Sequence, residues 1–69
     1  MENTHAIKIT TRDRILRAWE NSMELVRDFE IYSKEIEDDN EASKIFAKFA
    51  EDECCHASKF RELLHRYDD

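Results

Sequence analysis

The run Ile45-Phe46-Ala47-Lys48-Phe49-Ala50-Glu51-Asp52-Glu53-Cys54-Cys55-His56-Ala57 spaces its apolar residues as a helix does, not as a strand. Read outward, Ala42, Phe60, Leu63 and Leu64 prolong the same stripe to about Tyr67. Toward the amino terminus the pattern breaks at Glu37-Asp38-Asp39-Asn40-Glu41. There Asp38 with Glu41 fits a capping box, and Asn40 is a rival cap. Upstream of the break, Ile15, Leu16, Trp19, Met23, Val26, Phe29, Ser33 and Ile36 recur at three- and four-residue steps, so a first helix is expected to about Glu37. Thr10 or Thr11 can cap it, with Asp13 in the first turn. A connection this short makes the helices antiparallel neighbours. Residues 1–9 show no sustained period and read as a loose arm, so the domain expected is an all-α hairpin over residues 10–69.

Composition narrows the alternatives. Glycine and proline are both absent from the 69 residues, which argues against barrels, sandwiches, phosphate-cradling glycine loops and Rossmann units. Charged and apolar residues each make up 41%, the balance of long amphipathic helices rather than of a disordered tail. A net charge of −6 disfavours nucleic acid and anionic membrane as partners. No stretch is apolar enough to span a bilayer and no signal peptide opens the chain, so a cytoplasmic location is expected. A chain this short buries only about 60% of its unfolded surface, and two helices side by side bury less. A homo-oligomer is therefore expected before any motif is considered. Cys54 and Cys55 are neighbours pointing about 100° apart on a helix and cannot bridge each other without breaking it. They read as reduced thiols.

At about 100° per residue, with Glu53 at zero, Phe46 and Leu64 lie about 20° to one side. Ala42 and Phe60 lie about 20° to the other, with Phe49 about 40° and His56 about 60° away. An acid and a histidine, at i and i+3, thus share the most apolar direction in the chain. A lone buried charge there costs several kcal/mol or forces the group neutral. On the first helix the apolar arc runs from Leu25 through Phe29, Ile15, Val26 and Trp19 to Met23 and Leu16. Glu30 lies inside that arc and Glu20 at its edge, whereas Glu24 looks exposed.

Carboxylate and imidazole ligands suit iron, manganese or zinc. One hairpin carries too few for two metals. Two hairpins packed as a four-helix bundle offer four glutamates and two histidines, one first-helix glutamate with Glu53 and His56 from each copy. That is the ligand set of di-metal carboxylate bundles, and four carboxylates neutralise two divalent ions.

On these residues the chain resembles the ferritin-like and rubrerythrin-like di-iron family, in which an apolar pair precedes an Ala-Glu-x-Glu-x-x-His-Ala run, here Ala50 to Ala57. The likeness covers roughly residues 12 to 66 as one hairpin. Single-hairpin members that dimerise to complete their site, such as encapsulated ferritins, are the nearest in architecture. The resemblance implies that Glu53 bridges two metals and that His56 is a terminal ligand. It also implies a first-helix ligand about thirty residues or slightly more before Glu53. That spacing favours Glu20, with Glu24 as an alternative, while facing favours Glu30. Tyr32 is the nearest aromatic hydroxyl to the tyrosine that the family carries on this helix.

The function expected is binding and oxidation of Fe²⁺ with O₂ or peroxide at a site completed by dimerisation, serving iron storage or peroxide detoxification. The alternative is a non-enzymatic helical dimerisation or partner-binding module, its metal structural or absent.

Overall fold

The computed structural model describes residues 8–68. It holds two helices, α1 (Thr11–Glu35) and α2 (Asn40–Asp68), and no strand among the described residues. Most of the expected arm lies outside the described residues. Lys8 and Ile9 precede α1 without regular structure.

Thr10 caps α1 in extended geometry, with φ −93° and ψ 169°. The Asp13 N–H donates to Thr10 Oγ1 at 3.1 Å, and the Thr10 N–H donates to Asp13 Oδ2 at 3.0 Å. This reciprocal box satisfies two donors that a helix start leaves orphaned. The bond from the Thr10 backbone holds the Asp13 carboxyl below its ordinary pKa. Helix α1 closes at Ile36, which turns extended while its N–H still donates to the Tyr32 carbonyl at 3.0 Å. The end expected near Glu37 thus comes two residues early.

Neither Asp38 nor Asn40 provides the side-chain cap of α2. Asp39 Oδ1 accepts the Ala42 N–H at 3.0 Å, and the Asp39 carbonyl accepts the first helical bond, from Ser43 N–H, at 3.0 Å. A carboxylate at the N-cap reaches the N–H three residues on, and in this turn Asp39 occupies that place.

Ala50, Ala57 and Leu64, seven residues apart, are buried, at 4%, 3% and 7% exposed. Ser22 on α1 is 6% exposed. The seam between the helices is therefore lined by small residues, which let the two backbones approach closely. Toward the turn, aromatics from both helices meet. Phe46 packs on Phe29 and on Tyr32, each with ring centroids 5.5 Å apart. Such tilted and edge-on pairs add about 0.5–1.5 kcal/mol beyond the area they bury.

Ser33 and Ser43 clamp the turn. Ser43 Oγ donates to the Ser33 carbonyl at 2.6 Å, and Ser33 Oγ donates to the Ser43 carbonyl at 2.9 Å. The Ser33 carbonyl is in the last turn of α1, where no helical N–H remains to serve it. Removing the Ser43 hydroxyl strands that carbonyl. Ser43→Ala should therefore cost about 1–2 kcal/mol in urea unfolding. Ser33→Ala should cost about 1 kcal/mol, because the Ser43 carbonyl keeps its helical partner. Equal and negligible costs would show that the clamp contributes nothing.

The line through Ala50, Ala57 and Leu64 divides the hairpin into two faces. At about 100° per residue, Phe46, Phe49, Glu53, His56 and Phe60 fall on one side of it, and Ala47, Glu51, Cys54 and Ser58 on the other. On α1, Phe29 and Tyr32 join the first side by their contacts with Phe46. Trp19 and Met23 join the second, where they line a groove with Cys54 and Ala57. These are termed the phenylalanine face and the tryptophan face. The apolar arc of α1, single in sequence, is thus split by the seam, Phe29 and Tyr32 on one face and Trp19 and Met23 on the other. The molecule is 12 Å thick in its thinnest direction, a single helical layer. Among the described residues no large side chain is fully buried, and Met23, Leu25, Tyr32 and Phe49 all stay more than a third exposed. A stable domain stacks at least two layers around a core, and a lone hairpin supplies one.

Candidate metal centre

Midway along α2, Glu53 Oε2 and His56 Nδ1 are 3.3 Å apart. The i, i+3 spacing places them one turn apart on the same side of the helix. The Glu53 side chain is 20% exposed and that of His56 is 59% exposed. Glu53 is thus half-withdrawn from water on a face otherwise made by Phe46, Phe49 and Phe60, and His56 is its one hydrogen-bond partner among the described residues.

The other acids of α2 behave differently. Asp52 pairs with Lys48 at 2.8 Å, and Glu62 with Lys59 at 3.5 Å, all four groups well exposed. Such surface pairs are worth about 0–1 kcal/mol and satisfy the carboxylates locally. Glu51 is exposed on the tryptophan face. Among the described side chains of α2, Glu53 is the carboxylate left without a cationic lysine or arginine and partly out of water.

The first-helix acids are not brought to it. Glu20 is exposed and shares a groove with Arg17, Asn21 and Glu24 on the outer side of α1. Glu30 is exposed beside Lys34, Ala47, Ala50 and Glu51, on the tryptophan face. The inward position expected for Glu30 is corrected here. The apolar arc of α1 straddles the seam, and its glutamate is on the half that emerges on the side opposite Glu53. Asp28, which the sequence reading did not single out as a site residue, is half-buried. Its spacing from Leu25 and Tyr32, three and four residues, is the signal that puts it at the margin of the phenylalanine face. Tyr32 lies on that face against Phe46.

Among the described residues no three histidine, cysteine, aspartate or glutamate side chains group closely enough to hold a metal ion. A single copy therefore brings together only a pair of candidate ligands, Glu53 and His56. Their donor chemistry, one carboxylate and one imidazole, fits iron, manganese or zinc. A cation there would neutralise the half-withdrawn carboxylate, and a second copy would have to supply the remaining ligands. Both cysteines are free and exposed. Cys54 lines the tryptophan-face groove and lies on the other side of the seam from Glu53.

Comparison with protein-family models, with curated proteins and with solved structures finds no match to this chain. Among the described residues no helix is long and apolar enough to cross a membrane.

Proposed function

We propose that this chain is a ferritin-like iron-oxidising protein whose centre forms when two copies meet on the phenylalanine face. The observation that carries the reading is Glu53, held 3.3 Å from His56 and half out of water among phenylalanines. A carboxylate in that setting is costly unless a cation joins it.

The face has the area that such a pairing needs. A 25-residue helix is about 38 Å long, and two helices abreast are about 20 Å wide. The footprint is about 750 Å² per copy, close to the ~800 Å² per partner of a standard stable interface. Leu25, Tyr32 and Phe49, more than a third exposed in the lone hairpin, lose their contact with water there.

Two copies bring together two glutamates and two histidines from α2, enough for one ion. A second ion needs one more carboxylate per chain. Glu20 and Glu24 of α1 are the candidates, because Glu30 emerges on the tryptophan face, away from a centre formed on the phenylalanine face. The substrate is Fe²⁺, with O₂ or peroxide as oxidant, and two adjacent irons supply two electrons together. The chain's own part is to bind and neutralise the cations through Glu53, to orient them through His56, and to shield them with Phe46, Phe49 and Phe60.

The test is aerobic Fe²⁺ oxidation by the unmodified protein, Glu53→Ala and His56→Ala, each checked for helicity. Loss of even an outer-shell partner of a metal costs about 10–100-fold, so each variant should slow by about tenfold or more. Equal rates for all three reject the reading and leave a non-enzymatic dimerisation module.

A further inference from the structure

We propose that the tryptophan face is a second contact with another copy of this chain, antiparallel and two-fold related, with its axis beside Cys54 and Trp19. This goes beyond the metal reading and does not depend on it, since the face lies across the seam from Glu53 and His56.

Part of the apolar arc of α1 points here. Trp19 and Met23 flank a groove floored by Cys54, Ala57 and Ser58, and Met23 is 38% exposed. A single layer 12 Å thick has two such faces, and one partner covers only one of them. The charges on this face are arranged end to end. Toward the turn are Glu30 and Glu51, accompanied by Lys34. Toward the open end are Arg61 and His65, beside Trp19. No described residue pairs with Glu51 or Arg61 through a salt bridge. A second copy stacked in the same direction sets acid on acid. One stacked in the opposite direction sets the Glu51 end over the Arg61 end, twice per contact.

That register locates the axis. Glu51 and Arg61 are ten residues apart on α2, so a two-fold exchanging them crosses α2 level with His56. The contacts of Ser33 with Ser43 and of Phe29 with Phe46 set the antiparallel register of the hairpin, which puts Trp19 of α1 at the same level. In this stacking α2 lies over α2 and α1 over α1. The two Cys54 residues are then offset by only about 6 Å along the helix, at 1.5 Å per residue. The two Trp19 rings meet across the axis. Cys55, about 100° further round the helix, points away.

A short bismaleimide reports this arrangement. Protein carrying Cys55→Ser, with Cys54 its sole thiol, should form covalent dimers in at least several-fold higher yield than protein carrying Cys54→Ser. A charge exchange gives a second readout, the assembly mass by light scattering. Arg61→Glu should lower the mass, and Glu51→Arg combined with Arg61→Glu should restore it. Glu53→Ala should leave the Cys54 cross-link intact, which separates this contact from the metal site. Equal cross-linking through either cysteine overturns the proposal, as does an assembly mass that the Arg61→Glu change leaves unaltered. If Cys54 stays uncross-linked in otherwise oligomeric protein, the face belongs to solvent or to a different chain, and the proposal fails.

Discussion

Glu53→Leu should raise the melting temperature of the metal-free protein while abolishing the rise that Fe²⁺ produces under anaerobic conditions. Without metal, Glu53 is a carboxylate 20% exposed on an apolar face, with an imidazole as its hydrogen-bond partner. Replacing a half-withdrawn charge by an apolar residue of similar volume is often stabilising, by about 1–4 kcal/mol for fully buried groups and toward the lower end here. With metal the sign reverses. A ligand that binds only the folded state stabilises it by about 2.7 kcal/mol at a hundredfold excess over its dissociation constant. At about 4–8 °C per kcal/mol for a domain of this size, the unmodified protein should gain roughly 10–20 °C. The variant should gain nothing. Scanning calorimetry with chelator and with Fe²⁺, at one protein concentration, measures both halves. Should the unmodified protein melt at the same temperature in both buffers, the cation has no part in holding Glu53 in place. The substitution therefore sets stability against function at one residue, the trade expected where a site carries a group its surroundings disfavour.

The second large effect is expected at the seam. Ala57→Leu should unfold the hairpin or reduce it to a fluctuating helical state. Ala57 is 3% exposed and Ala50 4%, so α2 meets α1 there with no side chain beyond Cβ of its own. Three further carbons have no space to enter, and overpacking costs about 1–3 kcal/mol even in cores with room to adjust. Whole-domain stabilities are about 5–15 kcal/mol, and small single-core chains fall at the bottom of that range. Cys55→Leu adds bulk two residues away, at an exposed position on the far side of α2, and should change stability by no more than about 0.5 kcal/mol. Urea unfolding followed by circular dichroism compares the two. Similar midpoints for both variants would show that the small-residue seam does not set the approach of the helices.

Local chemistry was legible from the residues themselves. The helices follow from three- and four-residue apolar spacing and from the lack of glycine and proline. The Thr10–Asp13 box is a matter of two side chains three positions apart. The cap of α2 was misplaced by one residue, because Asp38, Asp39 and Asn40 all carry capping side chains and composition alone does not rank them. The pairing of Glu53 with His56 was legible for the same reason as the box: both partners are on one helix, one turn apart.

The position of Glu30 was not legible. Its place inside the apolar arc of α1 is local, but which part of that arc meets α2 is not, and Glu30 falls on the half that emerges on the tryptophan face. Ala50 and Ala57 escaped notice as core because alanine is weakly apolar, yet their small size is what makes them the line of closest approach.

The chain read alone determines two amphipathic helices, their caps, the antiparallel turn, and an acid and an imidazole on one apolar stripe, since each of these depends on residues within a few positions of one another. The tertiary structure alone decided how far each helix is rotated about its own axis. That rotation depends on where two distant surfaces fit most closely. It placed Ser22, Ala50, Ala57 and Leu64 in the seam and sent the phenylalanines to one side and Trp19 to the other. It also separated Glu30 from Glu53.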